Sequence, residues 1–124
     1  MESIESPAFS RHLSRYLSDD GYRSLQDELA RNPKAGDLVP GTGGFRKVRW
    51  ADPRRGKGRR GGLRIVYFYF ARDQEIWLMT LFDKDEASDL SPKEAKALKA
   101  AIRAELDGRE AKREARKRRA GTTR

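Results

Sequence analysis

The segment LRIVYFYFA, residues 63–71, decides the fold, because it is very rich in β-branched and aromatic residues. Successive side chains of a strand point to opposite faces of the sheet, and here both faces are apolar. The two sets are Ile65, Tyr67 and Tyr69 on one face, and Val66, Phe68 and Phe70 on the other. A strand that is apolar on both faces is typical of the centre of a sheet covered on both sides.

Two further strands flank this segment in the sequence. Residues 46–51 form the first, and residues 75–82 form the third after a tight turn at Arg72-Asp73-Gln74. A turn this short joins antiparallel strands. The sequence therefore predicts an antiparallel sheet of three to four strands.

Helix signals lie on either side of the strands. Ser6-Pro7 and Ser18-Asp19 begin two N-terminal helices, and Asn32-Pro33 ends the second. Ser91-Pro92-Lys93-Glu94 has the pattern of a capping box, and Gly108 is a typical C-terminal stop. The order predicts an α+β fold with two N-terminal helices, a twisted sheet and one C-terminal helix. We expect one domain over residues 1–108 and a basic tail over residues 109–124, either flexible or a solvated helix.

Charge is concentrated in two blocks. Residues 45–64 contain nine basic residues and one acidic residue, Asp52, and the tail contains eight basic and two acidic residues. These balances of +8 and +6 give +14 together, and since the net charge is +9, the remainder of the chain carries −5. A solvated loop is the simple explanation, but a one-signed run beside basic strand residues favours a polyanion such as nucleic acid.

Composition excludes several kinds of site. The chain has no cysteine and one histidine, which excludes disulfides, zinc–thiolate sites and multi-histidine metal sites, and no cofactor is expected. The N-terminal residues lack the basic start and apolar stretch of a signal peptide, and no apolar run reaches the ~20 residues of a membrane span. We expect a cytoplasmic protein without membrane contact.

Five short motifs occur together: NP-x-x-GD, P-GTGG, R-K-x-R, RGG-x-R and K-x-E-x-x-DLS. Together they resemble the HigB branch of the RelE/ParE superfamily of toxins over roughly residues 5–106. The resemblance implies the RelE-like fold and a toxin of a type II toxin–antitoxin module. Such toxins enter the ribosomal A site and cut mRNA without a metal, and a helix-turn-helix antitoxin blocks them.

The resemblance also implies a mechanism. The ribose 2′-oxygen attacks the adjacent phosphate, which requires a base, charge stabilisation on the phosphorane and a proton for the leaving oxygen. Clustered cations lower one another's pKa, so a lysine can serve as base or acid. Histidine and metal are not needed for this reaction.

The matched positions give four candidate catalytic residues. Arg64 would stabilise the phosphate, Lys47 would be the base, and Lys84 would hold the scissile phosphate or donate a proton. Arg49 is the second basic residue of its strand. Predicted RNA contacts are Arg46, Arg54, Arg55, Lys57, Arg59 and Arg60.

The chain departs from RelE in one respect. RelE has an active-site arginine and a tyrosine after the third strand, where this chain has Asp85 and Leu90. This leaves two alternatives open. One is a non-catalytic inhibitor of DNA gyrase like ParE, and the other is a plain RNA- or DNA-binding domain that binds through its tail.

Overall fold

The computed structural model describes residues 1–53, 56–59, 62–84 and 89–122. The chain divides into two compact units, residues 1–39 with 44–90 and residues 40–43 with 91–124. In chain order the elements are β1 (Glu2–Glu5), α1 (Pro7–Tyr16), α2 (Asp19–Arg31), β2 (Asp37–Leu38), β3 (Arg46–Trp50), β4 (Leu63–Phe70), β5 (Glu75–Asp83) and α3 (Pro92–Thr122).

The predicted central strand is β4, in the middle of a sheet with the order β1-β5-β4-β3-β2. Strands β3, β4 and β5 are antiparallel neighbours, as predicted. The short β1 and β2 were not predicted, and β1 lies parallel to β5, so the sheet is mixed with five strands. The predicted α+β class and the predicted order of helices and long strands are confirmed.

Helices α1 and α2 begin as the sequence predicts. The hydroxyl Oγ of Ser6 accepts a hydrogen bond from the Phe9 N–H, and that of Ser18 accepts one from the Gly21 N–H. The apolar stripes of both helices pack on one face of the sheet. The buried core there consists of Phe9, Tyr16, Leu17, Leu25, Leu29, Val48, Leu63, Ile65, Tyr67, Ile76, Leu78 and Leu81. We call this face the core face.

The other face of the sheet, which we call the second face, changes character along β4. The register shifts between Val66, which pairs with Thr80, and Tyr67, which pairs with Leu78, so that Met79 is the extra residue of a bulge in β5. Beyond the shift lies an aromatic cluster in which the rings of Phe68 and Phe70 are 4.8 Å apart and those of Phe45 and Phe68 are 5.4 Å apart. Arg64 lies before the shift. The second face is therefore aromatic at one end and cationic at the other.

The second unit consists mainly of α3. The predicted capping box is confirmed, because the Ser91 N–H donates to Glu94 Oε1 and the Glu94 N–H donates to Ser91 Oγ. The predicted stop at Gly108 is wrong, because α3 continues through it to Thr122. Ion pairs from Glu105 to Arg109 and from Glu110 to Arg113 span this part of the helix. The boundary between domain and tail near residue 108 stays a prediction.

Within the described residues, no helix combines the length and apolar character needed to cross a membrane.

The segment between β3 and β4, residues 51–62, is called the basic loop. Its last residue, Gly62, lies at a point where there is no room for a side chain. A Cβ atom there would lie 2.3 Å from the Trp50 carbonyl oxygen and 2.9 Å from the Asp52 nitrogen. Because both atoms belong to the backbone, neither can move without disturbing β3. We expect Gly62→Ala to lower the free energy of unfolding by about 1–3 kcal/mol, measured by urea denaturation. Gly58→Ala is the control, since a Cβ there meets nothing within 4 Å; equal losses in both variants would contradict the expectation.

Candidate active site

Three of the four predicted catalytic residues share the second face of the sheet. The register pairs Arg49 directly with Arg64, and Lys47 with Val66 on the same side. Like charges placed directly opposite each other across strands are destabilising. Neither arginine contributes to the core face, so this arrangement suits the binding of an anion better than it suits stability.

The side chain of Arg64 is buried and has hydrogen-bond partners. An arginine at the start of β4 is expected either to reach outward at the end of the sheet or to have a partner, and the residue is only 6% exposed. Its Nη1 donates to the carbonyl oxygens of Arg59 at 3.1 Å and of Leu63 at 3.2 Å. Burial and the nearby Arg49 lower the pKa of Arg64, and Asp89 partly opposes them. The guanidinium of Arg64 is thus oriented by one carbonyl of the basic loop and one carbonyl of β4.

Asp89 belongs to this cluster and was not predicted. Its Oδ1 lies 2.8 Å from Lys47 Nζ and accepts a hydrogen bond from the Leu90 N–H. Lys47 is the main cause that holds the pKa of Asp89 below its usual value, and Arg64 adds to the effect. The DLS motif that contains Asp89 was noted in the sequence, but nothing local indicates that residue 89 meets residue 47.

Lys84 directly follows the last residue of β5, Asp83. Its backbone N–H donates to the carbonyl oxygen of Gly62 at 3.1 Å, and its side chain is exposed. The hydrogen bond keeps the chain at Lys84 beside the residues that lead into Arg64. The backbone thus brings all four predicted positions to one end of the β3–β4–β5 sheet.

The predicted RNA contacts divide into separate groups. Arg46 lies on the core face and donates from Nη1 to the Gly36 carbonyl at 2.8 Å, while Lys57 is exposed in a small bridge with Asp52. Arg59 is held by Glu28 in a bidentate ion pair. Arg54, Arg55 and Arg60 lie outside the described residues. Asp52, the one acid of the basic segment, is fully buried.

In the part of the chain that the structure describes, there is no candidate metal-binding site. Among those residues no group of three or more histidine, aspartate or glutamate side chains is placed to hold an ion. Among the described residues, the candidate site combines the cations of Lys47, Arg49 and Arg64 with the carboxylate of Asp89. Clustered cations of this kind are suited to binding a phosphate diester.

No protein-family model matches the sequence. Among solved structures, the chain is similar to a variant of the Escherichia coli toxin RelE in the free state, with a TM-score of 0.49 and 13% identity, over 70% of this chain and 86% of that one. It is also similar to the isolated E. coli RelE toxin, with a TM-score of 0.47 and 15% identity, over 81% of this chain and 97% of that one. At these values nothing about activity follows from the likeness.

Removing one charge of the arginine pair should stabilise the protein. We expect Arg49→Gln to raise the free energy of unfolding by about 0.2–1 kcal/mol, because it relieves repulsion with Arg64. Urea denaturation at low ionic strength measures the change. Arg72→Gln, in the β4–β5 turn, removes the same charge elsewhere and should have less effect. A loss of stability in Arg49→Gln would show that the pair is not repulsive.

The ion pair of Asp89 can be tested by titration. We expect NMR to give Asp89 a pKa below the ordinary carboxyl value, and Lys47→Met to raise it, because Lys47 favours the charged carboxylate. Because the pKa of Asp89 is lower in the folded state, its carboxylate stabilises the protein fully at pH values above its unfolded-state pKa. This stabilisation is lost as the pH falls through the folded-state pKa. Lys57→Met serves as the control. An unchanged Asp89 pKa in Lys47→Met would disprove the contact.

Proposed function

We propose that this protein is the toxin of a type II toxin–antitoxin module, a ribosome-dependent endoribonuclease that cuts mRNA by attack of the 2′-oxygen. The observation that carries the proposal is the pairing of Arg49 with Arg64, beside Lys47, on one face of the sheet. Three cations held together on one face suit a substrate that carries negative charge. The five sequence motifs add the family resemblance.

The two arginines would bind the scissile phosphate. In the transition state the phosphorane carries more negative charge than the diester, so fixed donors stabilise it more than the ground state. Arg64 is suited to this because its guanidinium is already oriented by two backbone carbonyls. Arg49 is exposed and pairs with it from the neighbouring strand. Neither needs to gain or lose a proton.

The two lysines would transfer protons. Lys47 would take the proton of the 2′-hydroxyl, and Lys84 would hold the phosphate or protonate the leaving oxygen. In the free protein the Asp89 carboxylate holds the charged ammonium of Lys47 at 2.8 Å. A phosphate bound at Arg49 and Arg64 competes with Asp89 for these cations. Substrate binding would therefore release Lys47 from its ion pair. The freed ammonium would give its proton to solvent, and the neutral amine would then take the proton of the 2′-hydroxyl.

The remaining basic residues would extend the RNA path. Lys57 is exposed on the loop after β3, and the basic residues at positions 54, 55 and 60 belong to the same segment. Phosphate contacts of this kind add affinity that weakens as salt rises. The proposed partners are mRNA and the ribosomal A site, with a helix-turn-helix antitoxin that covers the toxin, all in the cytoplasm.

The gyrase inhibitor is the second candidate, because no tyrosine hydroxyl follows the third long strand of the sheet. It predicts accumulated DNA breaks and intact mRNA. The Arg49–Arg64 pair favours the nuclease over this alternative. A scissile phosphate explains why two arginines that repel each other lie side by side, whereas a non-catalytic inhibitor does not require a phosphate at this site. A plain nucleic-acid-binding domain predicts neither DNA breaks nor cut mRNA.

Expression in bacteria tests the proposal. We expect growth arrest and mRNA 5′ ends that follow the reading frame, mapped across the transcriptome after induction. Arg49→Gln should abolish at least nine-tenths of these ends, about a tenfold loss, because one phosphorane-stabilising donor is gone. This variant is expected to be no less stable than the wild type, so its loss of activity would not reflect unfolding.

Arg72→Gln provides the matched control and should arrest growth like the wild type. Growth arrest with cleaved-DNA complexes and uncut mRNA would replace the nuclease by the gyrase inhibitor. Full cleavage by Arg49→Gln would show that the arginine pair is not the site.

A further inference from the structure

We propose that Glu28 and Arg59 are positioning residues that fix the guanidinium of Arg64 for catalysis, an inference that rests on the proposed nuclease function. From the sequence, Arg59 is predicted to contact RNA. The structure gives its side chain and its backbone two other partners. One side of Arg59 is anchored to the body of the protein, and the other side meets Arg64.

The side chain of Arg59 is anchored from two directions. Its Nη1 and Nη2 donate to the two carboxylate oxygens of Glu28, at 3.0 and 2.9 Å. Its guanidinium carbon lies 4.6 Å from the ring centre of Trp50. Glu28 belongs to α2, and Trp50 ends β3. The basic loop is thus tied at Arg59 to a helix and to a strand at once.

The backbone of Arg59 meets Arg64 on its other side. The carbonyl oxygen of Arg59 accepts a hydrogen bond from Arg64 Nη1 at 3.1 Å. The same nitrogen donates to the carbonyl of Leu63, which belongs to β4 itself. The Leu63 carbonyl moves with the strand, whereas the Arg59 carbonyl is only as fixed as the loop. Anchoring Arg59 therefore keeps this carbonyl acceptor of Arg64 in place.

Stability alone does not explain this ion pair. The side chain of Arg59 is 53% exposed and that of Glu28 is 28% exposed, and pairs this open contribute little to folding. A bidentate pair does, however, restrict orientation more than a single contact does. The pair lowers the pKa of Glu28 and raises that of Arg59, so both partners stay charged at neutral pH. The effect of the ion pair is to fix the position of Arg59.

Two roles for Arg59 make opposite predictions when Glu28 is removed. If Arg59 serves only to grip RNA, Glu28→Ala frees a cation and adds one positive charge, so RNA binds equally or more tightly and the cleavage step is unchanged. If Arg59 positions Arg64, the loop carbonyl becomes mobile and the cleavage step slows. Small misplacements of a catalytic group cost up to about a hundredfold in rate.

The experiment measures cleavage of mRNA on purified programmed ribosomes by the full-length protein. We expect Glu28→Ala to lower kcat by about tenfold to a hundredfold while KM changes by less than about twofold. The charge-swapped double variant, Glu28→Arg with Arg59→Glu, rebuilds the anchor and should restore at least about a third of the lost rate. Glu110→Ala breaks an exposed ion pair on α3 with the same change in charge, and should retain the wild-type kcat.

A spectroscopic readout separates this inference from the function on which it rests. NMR of the Arg64 guanidinium reports its hydrogen bonds without any substrate, and its signals should broaden or shift in Glu28→Ala and recover in the swapped variant. If the wild type cuts no mRNA, the proposed function fails, and the spectra still decide whether Glu28 orders Arg64. A wild-type kcat or unchanged Arg64 signals in Glu28→Ala would overturn the positioning role.

Discussion

The register of β3 against β4 is the constraint on which the rest of the site depends. It places Arg49 directly opposite Arg64. Shifting β3 by one residue against β4 would turn Arg49 toward the core face and Val48 toward the second face. The core therefore enforces the repulsive contact, because Val48 and Ile65 are paired on its side and are both buried. Apolar packing on one face stabilises a charge arrangement on the other that would not form alone.

Both ends of β3 are locked by close backbone contacts. At one end the Tyr67 hydroxyl donates to the Pro33 carbonyl and accepts from the Gly36 N–H, while Arg46 donates to the Gly36 carbonyl. At the other end Gly62 fits against Trp50 and Asp52 with no space for a Cβ. A strand of five residues that carries two of the four candidate catalytic side chains is thus held along its length. Rigid support of this kind is what electrostatic catalysis needs.

Local patterns predicted much of this molecule. The two-sided apolar run identified β4 as central, and the serine caps identified the starts of the helices, because each signal depends on neighbours in sequence. Strand alternation also puts the predicted cations at positions 47 and 49 on one face, whereas Arg64 joins them through the register of β3 against β4. The short turn at residues 72–74 predicted that β4 and β5 are antiparallel neighbours, and this is confirmed.

What the sequence could not supply is contact between distant segments. Asp89 meets Lys47 across 42 positions, and Arg59 meets Glu28 across 31. A carboxylate in an acidic loop and an arginine in a basic loop give no local sign of such partners. Gly108 failed as a stop for another reason: its cost in a helix is about 1 kcal/mol, which the helix formers and ion pairs on either side of it offset. Strand β1 was missed because four residues with exposed acidic ends resemble a loop.

The pairing of β1 with β5 sets when the protein becomes complete during synthesis. Residues 2–5 pair with residues 75–78, and Ser6 makes hydrogen bonds to Leu78 and Met79. About seventy further residues must therefore be synthesised before β1 can pair with β5. Contacts this far apart form late, because a long loop must close first. A nascent chain that still lacks β5 has neither the sheet nor the Asp89 segment. Under this order the candidate site is complete only after residues 75–89 have been made.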